Sequence, residues 1–301
     1  MISRKILLFG KNGQVGWELQ RSLAPLGELI ALDAQSTNYC GDFTNLDGLA
    51  QTIRTIAPDI IVNAAAHTAV DKAESEPELA LAINSLAPGV LANEAKRIGA
   101  WLVHYSTDYV FDGSGKKPRL ETDVTGPLNV YGNTKLDGEN AIVASDCNYL
   151  IFRTSWVYAA RGGNFAKTML KLAQVRDALK IIDDQIGAPT GADLLADVSA
   201  HAIQKALTNQ EAKGIYHVVA SSETSWYGYA SFVIEYARLH GVDIKVAADA
   251  IEAVPTIAFP TPAKRPLNSR LDNTKFQNTF DLRLPHWQSG VTRLLNEILD
   301  Q

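Results

Sequence analysis

Tyr131 and Lys135 stand four residues apart in LNVYGNTKLDGE, residues 128–139. On a helix that spacing puts a phenol and an ammonium on one face, roughly 6 Å apart along the axis. A free phenol titrates near pH ~10, and a neighbouring cation favours the phenolate and lowers that value. A phenol acidified in this way is a better proton donor at neutral pH, and such assistance is typically worth about 10²–10⁴ in rate. Y-x-x-x-K is common on protein surfaces, and Gly132 and Asn133 make a poor helix start on propensity alone. The pair signifies chemistry only if other groups converge on it.

A third group is offered by YSTDYVFDG, residues 105–113. Ser106 and Thr107 fall where the apolar run WLVHY ends, and parallel sheets hold their ligands at the carboxyl ends of strands. A hydroxyl there can hydrogen-bond a substrate oxygen and orient it toward Tyr131. Thr107 is the preferred residue, with Ser106 as helper; capping of the strand end is the structural alternative.

The elements that must position these groups follow a rhythm. KILLFG and ELIALD read as strands around a helix, QVGWELQRSLAPLG, in which Val15, Leu19 and Leu23 recur at helical spacing. A helix stopped by Pro58 leads to the strand DIIVNAAA. A long helical stretch, divided or kinked by Pro88, leads to the strand at WLVHYSTDYVF. A helix from Asn129 to Val143 precedes the strand YLIFRTSWVY. Near-continuous apolar strands alternating with helices predict an α/β fold, a Rossmann-like, doubly wound parallel sheet. Residues 1–156 form the dinucleotide-binding part. Residues 157–301 are mainly a smaller α/β substrate-binding part, with helices near 164–176, 191–206, 225–240 and 289–300; a strand near 215–220 returns to the main sheet.

The first strand and helix are joined by GKNGQVG, with Gly10, Gly13 and Gly16 at three-residue spacing. Such a turn lets the backbone approach a pyrophosphate, and the helix N-terminus supplies free N–H groups. A strand-terminal acid about 20 residues further on completes the pattern. That acid is Asp33, which suits the adenosine ribose and favours NAD; Lys11 in the turn offsets it and admits NADP. Asp42 and Phe43 either flank the adenine or are an ordinary loop acid and core aromatic. The alanines of NAAAHT, residues 63–68, let a flat cofactor pass or simply pack tightly; His67 reads as structural.

Composition sets the outer limits. The 301 residues are 46% hydrophobic and 20% charged, with a net charge of −5, which leaves no electrostatic footprint for nucleic acid. No apolar stretch is long enough to span a bilayer. Cys40 and Cys147 match no metal or redox spacing, which points to a reducing, cytoplasmic setting.

With GxxGxxG, STDYVFDG and YxxxK in that order, the chain resembles the extended short-chain dehydrogenase/reductases over its whole length. Within that family it is most similar to the branch that reduces a dTDP-linked keto sugar. The segments that carry the likeness are LLFGKNGQVGWEL, VNAAAHTAVDKAESEP, HYSTDYVFDG, PLNVYGNTKLDGE, FRTSWVYA, DQIGAPTGADLLAD and TPAKRPLNSRLD. The resemblance implies reduction of the sugar's C4 ketone by NADPH or NADH, with Tyr131 as proton donor and Lys135 as its partner. It implies that Gly13, Gln14, Val15, Asp33, Asp42, Phe43, Ala66, His67 and Thr68 line the cofactor. Thr107, Asp108 and Trp156 would meet the sugar nucleotide, and Arg265 with Arg270 its diphosphate. It also implies a homodimer, with Mg²⁺ held by Glu18, Asp193 and Glu297; Asp193 is one methylene shorter than the glutamate that relatives can carry. A non-catalytic regulatory subunit and a nucleotide-sugar epimerase or dehydratase are the competing readings.

Overall fold

The structure, a computed structural model, describes residues 4–299. The first half alternates strand and helix. It runs β1 (Lys5–Phe9), α1 (Gln14–Leu23), β2 (Glu28–Leu32), α2 (Leu46–Ile56), β3 (Ile60–Asn63), α3 (Val70–Ala73), α4 (Pro77–Leu81), α5 (Ala87–Ile98), β4 (Trp101–Thr107), α6 (Val130–Ser145) and β5 (Asn148–Thr154). The second half has shorter strands. It runs β6 (Val157–Tyr158), α7 (Phe165–Val175), β7 (Leu179–Ile182), β8 (Ile186–Gly187), β9 (Thr190–Gly191), α8 (Ala192–Thr208), β10 (Gly214–His217), β11 (Thr224–Ser225), α9 (Trp226–Leu239), β12 (Ile251–Val254), α10 (Thr274–Phe280) and α11 (Trp287–Leu299). The helix expected near 289–300 is α11; residue 300 lies outside the described residues.

The main sheet has the order β10-β5-β4-β3-β1-β2, and each neighbouring pair is parallel. Alternate residues of each strand serve opposite faces. Ile6 and Leu8 of β1 pack with Leu19 and Leu23 of α1, Leu195 and Ile203 of α8, and Phe276 of α10. Leu7 and Phe9 pack on the other side with Leu49 and Ile53 of α2, Leu91 of α5 and Ile142 of α6. Both faces being covered, the strands read as continuous apolar runs. The segments between and beyond the late strands build a separate core of α7, α9 and α11 around Tyr229, Val233, Val291 and Leu295. α10, β7 and β12 had no counterpart in the sequence reading.

Two glycines in helices explain their own placement. A Cβ on Gly132 would stand 2.3 Å from the Tyr109 carbonyl oxygen, so α6 begins with glycine because another chain segment lies against it. Asn129 offsets the poor propensity by accepting a hydrogen bond from the Gly132 N–H at 2.8 Å, an N-cap. The break expected at Pro88 takes the form of a π turn, Ala82–Leu86, between α4 and α5. Proline has no N–H to offer the Asn84 carbonyl four residues back. That carbonyl instead faces Gly138 of α6, where a Cβ would stand 2.1 Å away.

Candidate active site

The glycine turn leaves β1 through Gly10, whose φ of +86° belongs to glycine's range. A Cβ there would meet the Ala64 and Ala65 backbone at 2.7 Å, and one on Gly16 would stand 2.0 Å from the Gly10 oxygen. Gly13 caps α1 with no side-chain hydrogen bond, so the first N–H groups of that helix stay available to an anion.

From Gly13 a cleft of about 420 Å³ runs across the carboxyl ends of the central strands. Gln14 and Val15 of α1, Ala66 and Thr68 after β3, Ser106, Thr107 and Asp108 at the end of β4, Tyr131 and Lys135 of α6, and Trp156 after β5 line it. Four buried oxygens on this lining have no hydrogen-bond partner among the described residues: Gln14 Oε1, Ser106 Oγ, Asp108 Oδ2 and Thr154 Oγ1. Buried polar atoms of this kind demand a partner. Together with the uncapped helix and the glycine cradle, they fit a dinucleotide and a polar substrate.

Thr107 donates its hydroxyl to Asp108 Oδ1 at 3.0 Å and accepts from the Tyr109 N–H at 3.2 Å. Burial drives the Asp108 carboxyl up to about 6, with Ser269 and Thr107 acting against the rise. Burial also raises the Tyr131 phenol; Thr107 opposes the rise, and the Asp108 charge adds to it. Lys135 is not among the groups that cause this shift. The lysine reaches back into the sheet, with Nζ 2.7 Å from the Tyr105 carbonyl oxygen and 3.1 Å from His104 Nε2. Its own pKa is lowered by burial to about 8. Tyr131 therefore waits as a neutral phenol, the form that can give a proton away, with its ring edge-on to Tyr109 at 5.5 Å.

Other expected residues sit outside this lining. Asp33, just past β2, accepts from Asn12 Nδ2 and, at 2.9 Å, from the Ser36 hydroxyl; Lys11 Nζ lies 3.8 Å away. Burial acts to raise its pKa, but the hydrogen bonds and the Lys11 charge prevail and lower it. Asp42 is bound in a local turn by Thr44 at 2.8–2.9 Å, and the Phe43 ring is buried against Phe9. The backbone of His67 is clamped by Asn84, at 2.8 Å to its N–H and 3.1 Å to its carbonyl. Arg265 lines an adjoining pocket with Tyr109 and Trp226, and is paired with Asp71 at 2.6 Å. Arg270 lies in a separate pocket, paired with Glu223 at 2.7 Å.

The expected Mg²⁺ set is not gathered into a metal site among the described residues. Glu18, Asp193 and Glu297 are near enough for the latter two, after burial, to push the Glu18 carboxyl up. No group of three His, Cys, Asp or Glu among the described residues is disposed to hold a metal. Arginines provide the positive charge instead: Arg293 pairs with Asp193 at 2.9 Å and Arg21 lies 3.7 Å from Glu18.

Trp226 is a cleft residue with no counterpart in the sequence reading. Its ring stacks on Trp156 at 3.7 Å and 14°. Trp156 adopts a φ of +50°, uncommon for a bulky side chain, so the stack comes with backbone strain at the cleft wall.

The parallel sheet, the glycine turn and the Thr107–Tyr131–Lys135 cluster define a protein of the extended short-chain dehydrogenase/reductase class. More narrowly, the chain belongs to the family described as RmlD substrate binding domain, whose model matches residues 4–299. It is 62% identical over 293 residues to the dTDP-4-dehydrorhamnose reductase of Escherichia coli (strain K12), covering 97% of each chain. To that of Burkholderia thailandensis it is 45% identical over 301 residues, covering 99% of this chain and 100% of the relative. The crystal structure of dTDP-4-dehydrorhamnose reductase from Bacillus anthracis in complex with NADP superposes with a TM-score of 0.88 at 33% identity, covering 98% of this chain and all of the other.

Proposed function

We propose that this protein reduces the C4 ketone of dTDP-4-dehydro-L-rhamnose to the alcohol of dTDP-L-rhamnose, using NADPH or NADH. A dinucleotide held here would supply the hydride that the ketone carbon takes up. The chain's own groups do the rest. Gly10, Gly13 and Gly16 shape the turn for the pyrophosphate, beside Gln14 and Val15. Asp33 stands ready for the adenosine ribose, with Lys11 beside it to accept a 2′-phosphate, and Ala66 and Thr68 flank the path toward the reacting centre.

The observation that carries the reading is that a neutral phenol and a threonine hydroxyl share a cleft that begins at the glycine turn. Thr107 orients the ketone oxygen, and Tyr131 gives it the proton. The Lys135 charge steadies the phenolate that remains, which must recover a proton before the next turnover. Asp108 and Trp156 hold the sugar, and Arg265 faces the diphosphate from the adjoining pocket. A cofactor-binding part, residues 1–156 joined by the strand near 215–220, and a mainly substrate-binding part, residues 157–301, belong to this proposal, as does a homodimer that sedimentation velocity checks. Tyr131→Phe should bind NADPH with unchanged affinity and lose about 10²–10⁴ in turnover of the keto sugar. Near-normal turnover removes Tyr131 from this role.

A further inference from the structure

Lys135 is nine-tenths or more buried, and its surroundings do not suit a permanent ammonium. Two buried polar side chains on neighbouring strands, Asn63 and His104, lead up to it. They are register partners where β3 pairs with β4. The Ala65 N–H donates to Asn63 Oδ1 at 3.0 Å, which settles the orientation of that amide and turns its NH₂ toward His104 Nδ1, 2.9 Å away. A neutral imidazole has one N–H and one lone pair. With Nδ1 accepting from Asn63, the proton must reside on Nε2, which faces Lys135 Nζ at 3.1 Å. An ammonium has three donors and no acceptor, so donor would meet donor. A neutral amine resolves the conflict: its lone pair accepts from His104 and one hydrogen goes to the Tyr105 carbonyl oxygen at 2.7 Å.

We propose that Asn63 and His104 are positioning residues for Lys135, their one-way hydrogen-bond chain working against the lysine's ammonium in the ligand-free protein. The alternatives each break something. Turning the Asn63 amide sets an N–H of Ala65 against an NH₂. Charging His104 opposes its complete burial, which holds its pKa well below the ordinary value. The charged groups packed about the pair are Glu139, one turn along α6, and its partner Arg153 on β5; beyond Tyr131 lies Asp108. β3 and the π turn contribute Asn63, Asn84 and Ser85, which carry no charge. Glu139 favours the ammonium, but burial outweighs it.

The consequence rests on the reductase reading. If the Lys135 charge steadies the phenolate of Tyr131, activity requires the ammonium and falls as pH rises through the lysine's depressed pKa. The chain thereby sets where the basic limb of the pH profile lies. Asn63→Asp reverses its direction: a carboxylate still accepts from Ala65, accepts in addition from an Nδ1–H, and leaves Nε2 as acceptor for an ammonium.

The first test is ¹⁵N NMR of histidine-labelled, ligand-free protein across neutral pH. The expected spectrum shows His104 neutral with its proton on Nε2; an Nδ1-protonated or cationic ring overturns the proposal. The second compares kcat/KM profiles, in which Asn63→Asp should move the basic limb upward by about one pH unit or more. A limb left in place by a folded variant also overturns it. The NMR arm needs no turnover. The expected tautomer in a protein that reduces no keto sugar would count against the reductase reading and leave this hydrogen-bond chain standing.

Discussion

Glu139→Gln tests whether the helix that carries the proton donor is anchored as the geometry implies. Glu139 and Arg153 are almost wholly buried, at 1% and 3% exposure, and join α6 to β5 through three contacts: Nε at 3.0 and 3.1 Å to the two carboxylate oxygens and Nη2 at 2.6 Å. The guanidinium also lies 5.1 Å over the Phe111 ring. The substitution keeps side-chain volume but leaves a buried cation without its counter-charge, and breaking such a pair typically costs about 3–5 kcal/mol. Urea denaturation followed by circular dichroism should show that loss as a lower midpoint with an unchanged slope. Replacing both partners, as Glu139→Leu with Arg153→Met, should destabilise less than either single change, because no isolated charge is left. Glu139 is also the one charge that supports the Lys135 ammonium, so the basic limb of the kcat/KM profile should move to lower pH in Glu139→Gln. A loss under about 1 kcal/mol, the range of solvent-exposed pairs, would refute the claim that the pair is sealed from water.

Gly16→Ala should fold with a displaced glycine turn, since its Cβ would need space already filled by the Gly10 oxygen, and should weaken NADPH affinity, by fluorescence titration, by at least about tenfold. His217, wholly buried and held by burial and then Arg153 near a pKa of about 3, binds a proton more readily unfolded than folded. Its contribution is complete above the unfolded value of about 6.5 and is lost as pH falls toward the folded value, at about 1.4 kcal/mol per pH unit. Denaturation midpoints measured between neutral and mildly acid pH should therefore show a shallower slope in His217→Leu than in the unaltered chain; equal slopes would exclude the histidine as a source of acid sensitivity.

The elements that hold the cleft were legible because β1, β3, β4 and β5 are buried on both faces and α1 and α2 on one. Apolar runs and helical periodicity follow directly from that arrangement, and the glycine turn declares itself by spacing. Asn63 and His104 escaped the sequence because their meeting depends on strand order: they are 41 residues apart and touch only because β3 lies beside β4. His104 stands in an apolar strand pattern that marks it as interior and says nothing of its partner. The i,i+4 spacing placed Tyr131 and Lys135 on one helix, but spacing carries no information about where a flexible lysine ends, and here the backbone carbonyl of Tyr105 holds it. A charge read from sequence likewise has no partner, and in the folded chain Glu223 pairs with Arg270, Arg21 with Glu18 and Arg293 with Asp193.

The last strand to join the main sheet is β10, and among the described residues its only neighbour there is β5. During synthesis the ribosome must therefore complete α7 and α8 and reach His217 before the open edge of β5 finds its match. Until then a nearly finished parallel sheet presents unpaired backbone groups to the crowded cell, the kind of edge that invites pairing with another chain. The order in which this polypeptide is made thus leaves its nascent form exposed at the edge farthest from β2, and chaperone engagement would be most useful in that interval.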